Sequence, residues 1–298
     1  MNENFKIGFV SFIGRSNVGK STLLNAILKE KLAIVSNKPQ TTRNQIKGIY
    51  NSDEMQVVFF DTPGIHKHHN QLGRMMNRNA NRAAKETNII CLLAPCDEYI
   101  GTGDHHIIKI LAERIETPIF LLLTKADLVT KAELFAKILQ WKELLPFKEI
   151  IPISALKDKN IDIFFKKIHE YLPIGDKNYL IENAETTTDN TLIKEIIREK
   201  ILNLTEEEVP YSVAVLIESI NYDKKTNITD ISAVIIVERD SQKGIIIGKQ
   251  GRMIKEIGTR ARADLENIFD SHIVLKTFVK VMSDWRNNPR KLKELGYN

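Results

Sequence analysis

The sequence predicts an α/β protein in two parts: a mostly parallel sheet with helices on both faces, then a smaller α+β domain. Three observations predict it. Up to about residue 170, short apolar runs alternate with helix-period segments, the pattern of βαβ units. The first strand-to-helix turn carries a glycine-rich loop of phosphate-cradling form, Gly14-Arg15-Ser16-Asn17-Val18-Gly19-Lys20-Ser21. Beyond residue 190 the order becomes α-β-β-α-α-β, with a second glycine pair between two adjoining helices.

The elements follow in order. Apolar runs predict strands at 5–12, 45–50, 55–61, 89–94, 118–124 and 149–153. Helical spacing predicts helices at 20–29, 72–85, 104–113, 131–144 and 161–171, the last with Ile161, Phe164, Phe165, Ile168 and Leu172 on one face. The punctuation Leu172-Pro173-Ile174-Gly175-Asp176 and the polar stretch 182–190 predict a boundary. A first domain is expected over 1–173, a linker over 174–190 and a second domain over 191–298. In the second domain a helix is predicted at 191–204, and strands at 211–220 and 231–239 joined by a polar connection at 221–230. A helix from 252 to about 269 and a strand at 272–282 complete it. Asn287-Asn288-Pro289 predicts a short final helix with proline in its first turn.

Composition bounds the function. A chain of 298 residues with 43% hydrophobic and 27% charged residues is globular and long enough for two cores. No apolar run approaches the ~18 residues that span a bilayer. The first residues lead straight into a strand, which argues against a signal peptide. Cys91 and Cys96 lack partners at metal spacing and read as core thiols of a reducing, cytoplasmic compartment. The net charge of +5 is unevenly spread: Arg239 to Asn298 hold 13 Lys and Arg against 7 Asp and Glu, and the rest is within one charge of neutral. Nucleic acid or an anionic membrane surface is drawn to that end.

The loop between Gly14 and Ser21 fits G-x-x-x-x-G-K-[ST] in its strand–loop–helix setting. Its glycines let backbone N–H groups of Arg15 through Gly19 turn toward phosphate oxygens, and the following helix adds its positive end at Lys20, Ser21 and Thr22. Lys20 supplies charge to the β- and γ-phosphates, and the Ser21 hydroxyl ligates Mg²⁺. Later motifs choose the base. Asp61-Thr62-Pro63-Gly64 ends a strand and brings Asp61 to the metal, while Gly64 offers its N–H to the γ-phosphate. Thr124-Lys125-Ala126-Asp127 ends another strand, and the Asp127 carboxylate can accept two N–H bonds from a guanine edge. Ser154-Ala155-Leu156 closes over the base from a third strand end. Four motifs in order, each at a strand end, imply GTP binding and hydrolysis.

In the second domain, residues 245–254 have the I-G-x-x-G-x-x-I form of a KH module, and the surrounding element order is that of KH type 2. Two glycines let a nucleic-acid backbone approach closely. Ile247, Gly248, Lys249, Gln250, Gly251, Arg252 and Lys255 are the candidate RNA-binding residues, with Arg260 and Arg262 adding phosphate attraction. Ile246, Ile247 and Ile254 read as core and groove wall. Trp285 can stack on a base or pack on the last strand, and packing is the expectation.

The Pro39-Gln40-Thr41-Thr42-Arg43 segment, the Gly-Arg-Ser-Asn-Val-Gly-Lys-Ser loop, Asp61-Thr-Pro-Gly-Ile-His66 and the tail from Asp284 to Tyr297 resemble the Era family of GTPases over nearly the whole chain. The resemblance implies a P-loop GTPase domain followed by a KH type 2 domain. It implies that Pro39–Arg43 lies in the first switch with Thr42, or Thr41, contacting Mg²⁺, and that the loop after Gly64 is the second switch. Lys20, Asn17, Thr42 and Gly64 are then the catalytic set, and Asn17 would hold K⁺ in place of an arginine finger. The cofactors implied are GTP or GDP and Mg²⁺. The partners implied are the 3′ end of 16S rRNA and the 30S subunit, whose maturation the protein would serve, with a peripheral contact at the cytoplasmic face of the cell membrane. A monomer is expected. Two positions depart from common GTPase usage: Thr124 stands where Asn is commoner, and Ile65 stands where many GTPases have a water-orienting Gln. His66, His68 and His69, with Asp61 and Asp104, raise the thought of a metal site, but no helical ligand spacing supports it and they read as exposed loop residues.

Overall fold

The structure, a computed structural model, describes residues 4–39, 41–65, 70–83, 87–114, 116–176 and 188–297. The chain forms two compact units. The first contains Met1–Ala33, Thr42–Lys67 and Met76–Thr187; the second contains Thr188–Asn298 together with Ile34–Thr41 and His68–Met75.

The first unit is built on a six-stranded sheet of β1 (Lys6–Ile13), β2 (Ile46–Asn51), β3 (Met55–Asp61), β4 (Ile89–Pro95), β5 (Ile119–Thr124) and β6 (Glu149–Pro152) in the order β2-β3-β1-β4-β5-β6. Only the edge strand β2 runs antiparallel, to β3; the others are parallel, so β1, β3, β4, β5 and β6 all end on one edge. Burial on both faces explains why these strands read as unbroken apolar runs. Ile89, Cys91 and Leu93 join one hydrophobic cluster while Ile90, Leu92 and Ala94 join the other, as a two-residue period demands. The first cluster packs α1 (Lys20–Leu28) and α5 (Ile161–Tyr171); the second packs α3 (Thr102–Ala112) and α4 (Lys131–Lys142). α2 (Gln71–Ala83) contributes Ala80 to the second. Cys91 and Cys96 are buried free thiols, and burial pushes Cys96 up to about 11, so both stay protonated. Pro173 and Gly175 remain on this unit, exchanging backbone hydrogen bonds with Ile7 and Phe5. Most of the linker expected over 174–190, residues 177–187, lies outside the described residues.

The second unit carries a three-stranded sheet, β7 (Ala214–Asp223), β8 (Ile228–Val237) and β9 (His272–Val281), with β7 antiparallel and β9 parallel to β8. One sheet face packs on α6 (Asp189–Leu204), α8 (Asp240–Ile247) and α9 (Arg252–Phe269) through Ile193, Ile197, Ile246, Ile257, Ala261 and Leu265. The order matches α-β-β-α-α-β, but the hairpin corrects the sequence reading. β7 starts at Ala214, after a short helix α7 (Val209–Ser212), and the supposed connection 221–230 is mostly strand, with a turn of only four residues between Asp223 and Ile228. The far end of β7 is solvent-exposed, so its residues need not be apolar.

Trp285 is fully buried, donates Nε1–H to the Ser212 carbonyl at 3.0 Å and stacks on Tyr297 at 5.8 Å between ring centroids. It packs in the interior as expected, against α7 and the C-terminus, and no face is left for a base. Asn288 caps α10 (Pro289–Glu294), accepting from the N–H groups of Arg290 and Lys291. Among the described residues no helix is long and apolar enough to cross a membrane.

Candidate functional site

The parallel register delivers four loops to one edge of the first sheet: Gly14–Gly19 after β1, Asp61–Gly64 after β3, Thr124–Asp127 after β5 and Ser154–Leu156 after β6. This is where an open α/β sheet binds its ligand.

At the phosphate end, Lys20 opens α1 and is only 6% exposed. Its Nζ donates to the Arg15 carbonyl at 2.7 Å and the Gly14 carbonyl at 3.3 Å, so the amine curls back under its own loop. Burial, partly offset by Asp61, lowers Lys20 to about 8. Beside it, Ser21 Oγ lies 2.6 Å from Asp61 Oδ2 and 2.9 Å from Thr42 Oγ1, and Thr42 donates to Asp61 Oδ2 at 3.1 Å. Thr41 instead gives its hydroxyl to the Lys38 carbonyl at 2.6 Å. One carboxylate and two hydroxyls form an all-oxygen donor set that suits Mg²⁺, and their small number leaves coordination positions for water and phosphate. Among the described residues no group of three His, Cys, Asp or Glu could hold a metal; His66, His68 and His69 lie outside those residues, as does Gln40.

The loop after Asp61 is fixed against the phosphate loop. Thr62 donates to the Phe12 carbonyl at 2.7 Å, and the Ile65 N–H donates to the Gly14 carbonyl at 3.1 Å. A Cβ on Gly64 would stand 2.7 Å from the Ser16 nitrogen, so only glycine lets the two backbones approach this closely. Ile65 is buried in the second hydrophobic cluster, its side chain committed to packing.

At the base end, Thr124 donates its hydroxyl to the Val18 carbonyl at 2.7 Å. The hydroxyl therefore braces the phosphate loop without needing the amide that Asn would carry. Lys125 takes a left-handed conformation with φ 56°, and the Ala126 N–H donates to the Ile153 carbonyl at 3.2 Å. Asp127 is exposed, and its carboxyl is held below its ordinary value mainly by the Ser154 hydroxyl. Ser154 is buried and its oxygen also accepts from the Lys157 N–H at 3.2 Å, which aims the hydroxyl at Asp127. Ala155 is half-buried and Leu156 is 80% exposed.

Sequence reasoning missed one brace. The Arg15 side chain turns outward to Asp104 Oδ1 at 2.9 Å and Glu98 at 2.7 Å. Asp104 is 2% exposed and its other oxygen accepts from the Gly101 N–H at 2.8 Å. Lys125 meets Glu98 at 3.4 Å, so one acidic loop holds both the phosphate loop and the base-reading turn. The partners are 89 residues apart in sequence and share no motif that could have revealed them.

In the second unit, Ile247 ends α8, and Gly248-Lys249-Gln250-Gly251 forms a tight loop before Arg252 opens α9. The two glycines have different reasons. A Cβ on Gly248 would strike Met253 at 2.7 Å, whereas a Cβ on Gly251 would meet nothing within 4 Å. Gly248 shapes the loop; Gly251 leaves open space beside it. Lys249, Gln250, Arg252 and Lys255 are exposed, and among the described residues Lys249, Arg252, Lys255 and Arg262 form no ion pair. Arg260 forms an exposed pair with Glu256 at 2.6 Å. Ile246 is buried, and Ile247 and Ile254 are half-buried.

Known proteins share this layout. Residues 9–125 match the family described as 50S ribosome-binding GTPase, and residues 208–286 match the KH domain family. Over 292 residues the chain is 48% identical to GTPase Era of Thermoanaerobacter sp. (strain X514), covering 98% of this chain and 96% of that protein. GTPase Era of Syntrophus aciditrophicus (strain SB) is 47% identical over 294 residues, covering 99% and 96%. Among solved structures, an Aquifex aeolicus Era variant bound to GDP·AlF4⁻ matches with a TM-score of 0.92 at 37% identity, covering 98% of this chain and 99% of that one. An Era complex with MgGDPNP and nucleotides 1506–1542 of 16S ribosomal RNA matches at 0.93 and 38% identity, with the same coverage. Identity at this level over nearly the whole of both chains shows kinship, and the chain belongs to the Era family of GTPases, with a P-loop GTPase domain and a C-terminal KH domain.

Proposed function

We propose that this GTPase binds the 3′ end of 16S rRNA through its KH loop during maturation of the 30S subunit, and that GTP hydrolysis releases it. The observation that carries the RNA reading is the open space at Gly251 beside exposed Lys249, Arg252 and Lys255. A relative at 38% identity was solved with that rRNA segment, which supports the same ligand here. In the nucleotide site, residues Gly14 to Thr22 and Gly64 would hold the phosphates, and Thr124, Lys125, Asp127 and Ser154 to Leu156 the guanine. Ser21, Thr42 and Asp61 would hold Mg²⁺, which supplies charge stabilisation to the γ-phosphate. The resemblance also implies a peripheral membrane contact; the basic C-terminal surface is its only support, and a two-glycine loop serves RNA more directly than lipid.

The test is RNA binding by the full chain with a non-hydrolysable GTP analogue, with GDP and without nucleotide, against a scrambled control. Tighter binding of the 16S segment in the GTP state is expected. Gly251→Asp should abolish it, because the carboxylate enters open space and repels phosphate, while Asp tolerates the left-handed backbone at φ 74°. Equal, weak binding to both RNAs in every state would refute the proposal.

Ile65 is committed to the core, so hydrolysis needs charge from elsewhere. Asn17 sits on the rim of the phosphate loop in a left-handed conformation with φ 62° and is proposed to help hold K⁺ there. Turnover is expected to be about tenfold faster in KCl than in NaCl, the scale of one added electrostatic stabiliser. Equal rates would remove the cation.

A further inference from the structure

α6 is buried on two sides. Ile193, Ile197 and Ile201 share the side that meets the sheet. Glu195, Arg198 and Glu199 lie on the other, at three- and four-residue spacing, and none is more than 4% exposed. A charged helical face ordinarily turns to water. Here the segment Ile34–Thr41, part of the same unit, lies against it. Glu199 Oε1 accepts from the Val35 N–H at 2.9 Å, and its other oxygen pairs with Lys200 at 2.7 Å. The Lys38 ammonium donates to the Thr205 carbonyl at the end of α6. The Arg198 guanidinium donates to the Thr41 carbonyl while it pairs with both oxygens of Glu195.

The last of these contacts reaches the residue before a candidate metal ligand. The peptide group that carries the Thr41 carbonyl also carries the Thr42 N–H, and it is planar. A charged donor that fixes the carbonyl therefore sets the direction in which the chain enters Thr42. Thr42 is 5% exposed, and its hydroxyl lies 2.9 Å from Ser21 Oγ and 3.1 Å from Asp61 Oδ2. Arginine suits the task, because its planar fork reaches a carboxylate and a carbonyl at once. Glu195 compensates the buried charge, which would otherwise be costly to keep there. The Thr41 hydroxyl, donated to the Lys38 carbonyl at 2.6 Å, ties the end of the segment to its middle.

We propose that Arg198 is a positioning residue for Thr42: it holds the Thr41 peptide so that the Thr42 hydroxyl is aimed at Mg²⁺ when the γ-phosphate is bound. This rests on the reading of Ser21, Thr42 and Asp61 as Mg²⁺ ligands and extends it to the residue that sets one of them. Arg198 touches neither nucleotide nor metal. Its effect is confined to the state in which Thr42 is a ligand, so the GDP complex should not feel its loss.

The experiment titrates Mg²⁺ into the full chain loaded with a fluorescent, non-hydrolysable GTP analogue, or with fluorescent GDP, and reads the half-saturating concentration. Wild type, Arg198→Lys, Lys38→Met and Thr42→Ala are compared. Arg198→Lys keeps the charge opposite Glu195 but lacks the fork that also reaches Thr41. It is expected to raise half-saturating Mg²⁺ about five- to tenfold with the GTP analogue, the lower range of a coupling between linked groups, and to leave the GDP value within about twofold. Lys38 is half-buried and outside the hydrophobic clusters, so Lys38→Met loosens the same segment without touching the core. It should move the GTP value in the same direction, by about threefold. If Thr42→Ala raises the requirement while Arg198→Lys and Lys38→Met match wild type, Thr42 is positioned by other means and this inference alone is overturned. If Thr42→Ala also matches wild type, the Mg²⁺ reading falls with it. An Arg198→Lys shift that is equal with GDP and with the GTP analogue would mean a general loosening of the fold, and that too overturns the inference.

Discussion

Lys20→Met is expected to weaken GTP binding severely while leaving the nucleotide-free protein at least as stable as wild type. The amine is buried and lowered to about 8 chiefly by desolvation. Its ordinary value is 10.5, so between the two values the unfolded chain binds more protons than the folded one, and stability rises with pH across that window. Below pH 8 the full cost of charging the amine stands against folding, about 3 kcal/mol for a shift of this size. Two carbonyl hydrogen bonds recover part of it, and both belong to the same loop. Methionine has similar length and no charge, and it removes the cost together with the function. Nucleotide affinity should fall by about 10²-fold or more, the scale of a lost charge-assisted contact to phosphate. Melting curves at pH 7 and pH 10, with and without GTP, check both parts. Wild type should gain stability with GTP and with alkaline pH, and the variant with neither. A nucleotide-free variant that melts well below wild type at both pH values would show that Lys20 is structural.

The elements of the first unit were legible because parallel strands buried on two faces leave unbroken apolar runs. The glycine loop and the Asp61, Asp127 and Ser154 motifs were legible because each sits at a strand end. What failed did so for physical reasons. The far half of β7 is exposed, so burial imposes no alternation there, and Asn221 and Asp223 read as loop. Trp285 has no amphipathic helix around it to declare its direction, and its partners Ser212 and Tyr297 lie 73 and 12 residues away in a short helix and at the terminus. Thr41 and Thr42 are chemically identical in sequence; only geometry brings the Thr42 hydroxyl within 2.9 Å of Ser21. Arg15 was read only for its backbone N–H in the phosphate loop; its side chain pairs with Asp104 and Glu98, which no motif announces, because a buried carboxylate needs a cation.

Asp127→Asn is expected to lower affinity for guanine nucleotides by roughly 10²- to 10⁴-fold and to raise affinity for xanthine nucleotides. The Asp127 carboxylate is an acceptor on both oxygens, exposed, and kept ionised by the Ser154 hydroxyl. Guanine presents two N–H donors side by side and so matches it. Asparagine turns one acceptor into a donor, which faces the guanine amino group donor to donor. Xanthine carries a carbonyl in place of that amino group and restores the match. The Ser154 hydroxyl can still donate to the amide oxygen, so the side chain should keep its orientation and the loop its shape. The Thr124 bond to Val18 is untouched, so phosphate binding should survive and isolate the effect to the base. Competition of GTP and XTP against a fluorescent analogue reads both affinities in one titration. A variant that keeps its preference for GTP would move guanine recognition away from Asp127. A variant that loses both nucleotides equally would mean that the 124–127 turn had collapsed.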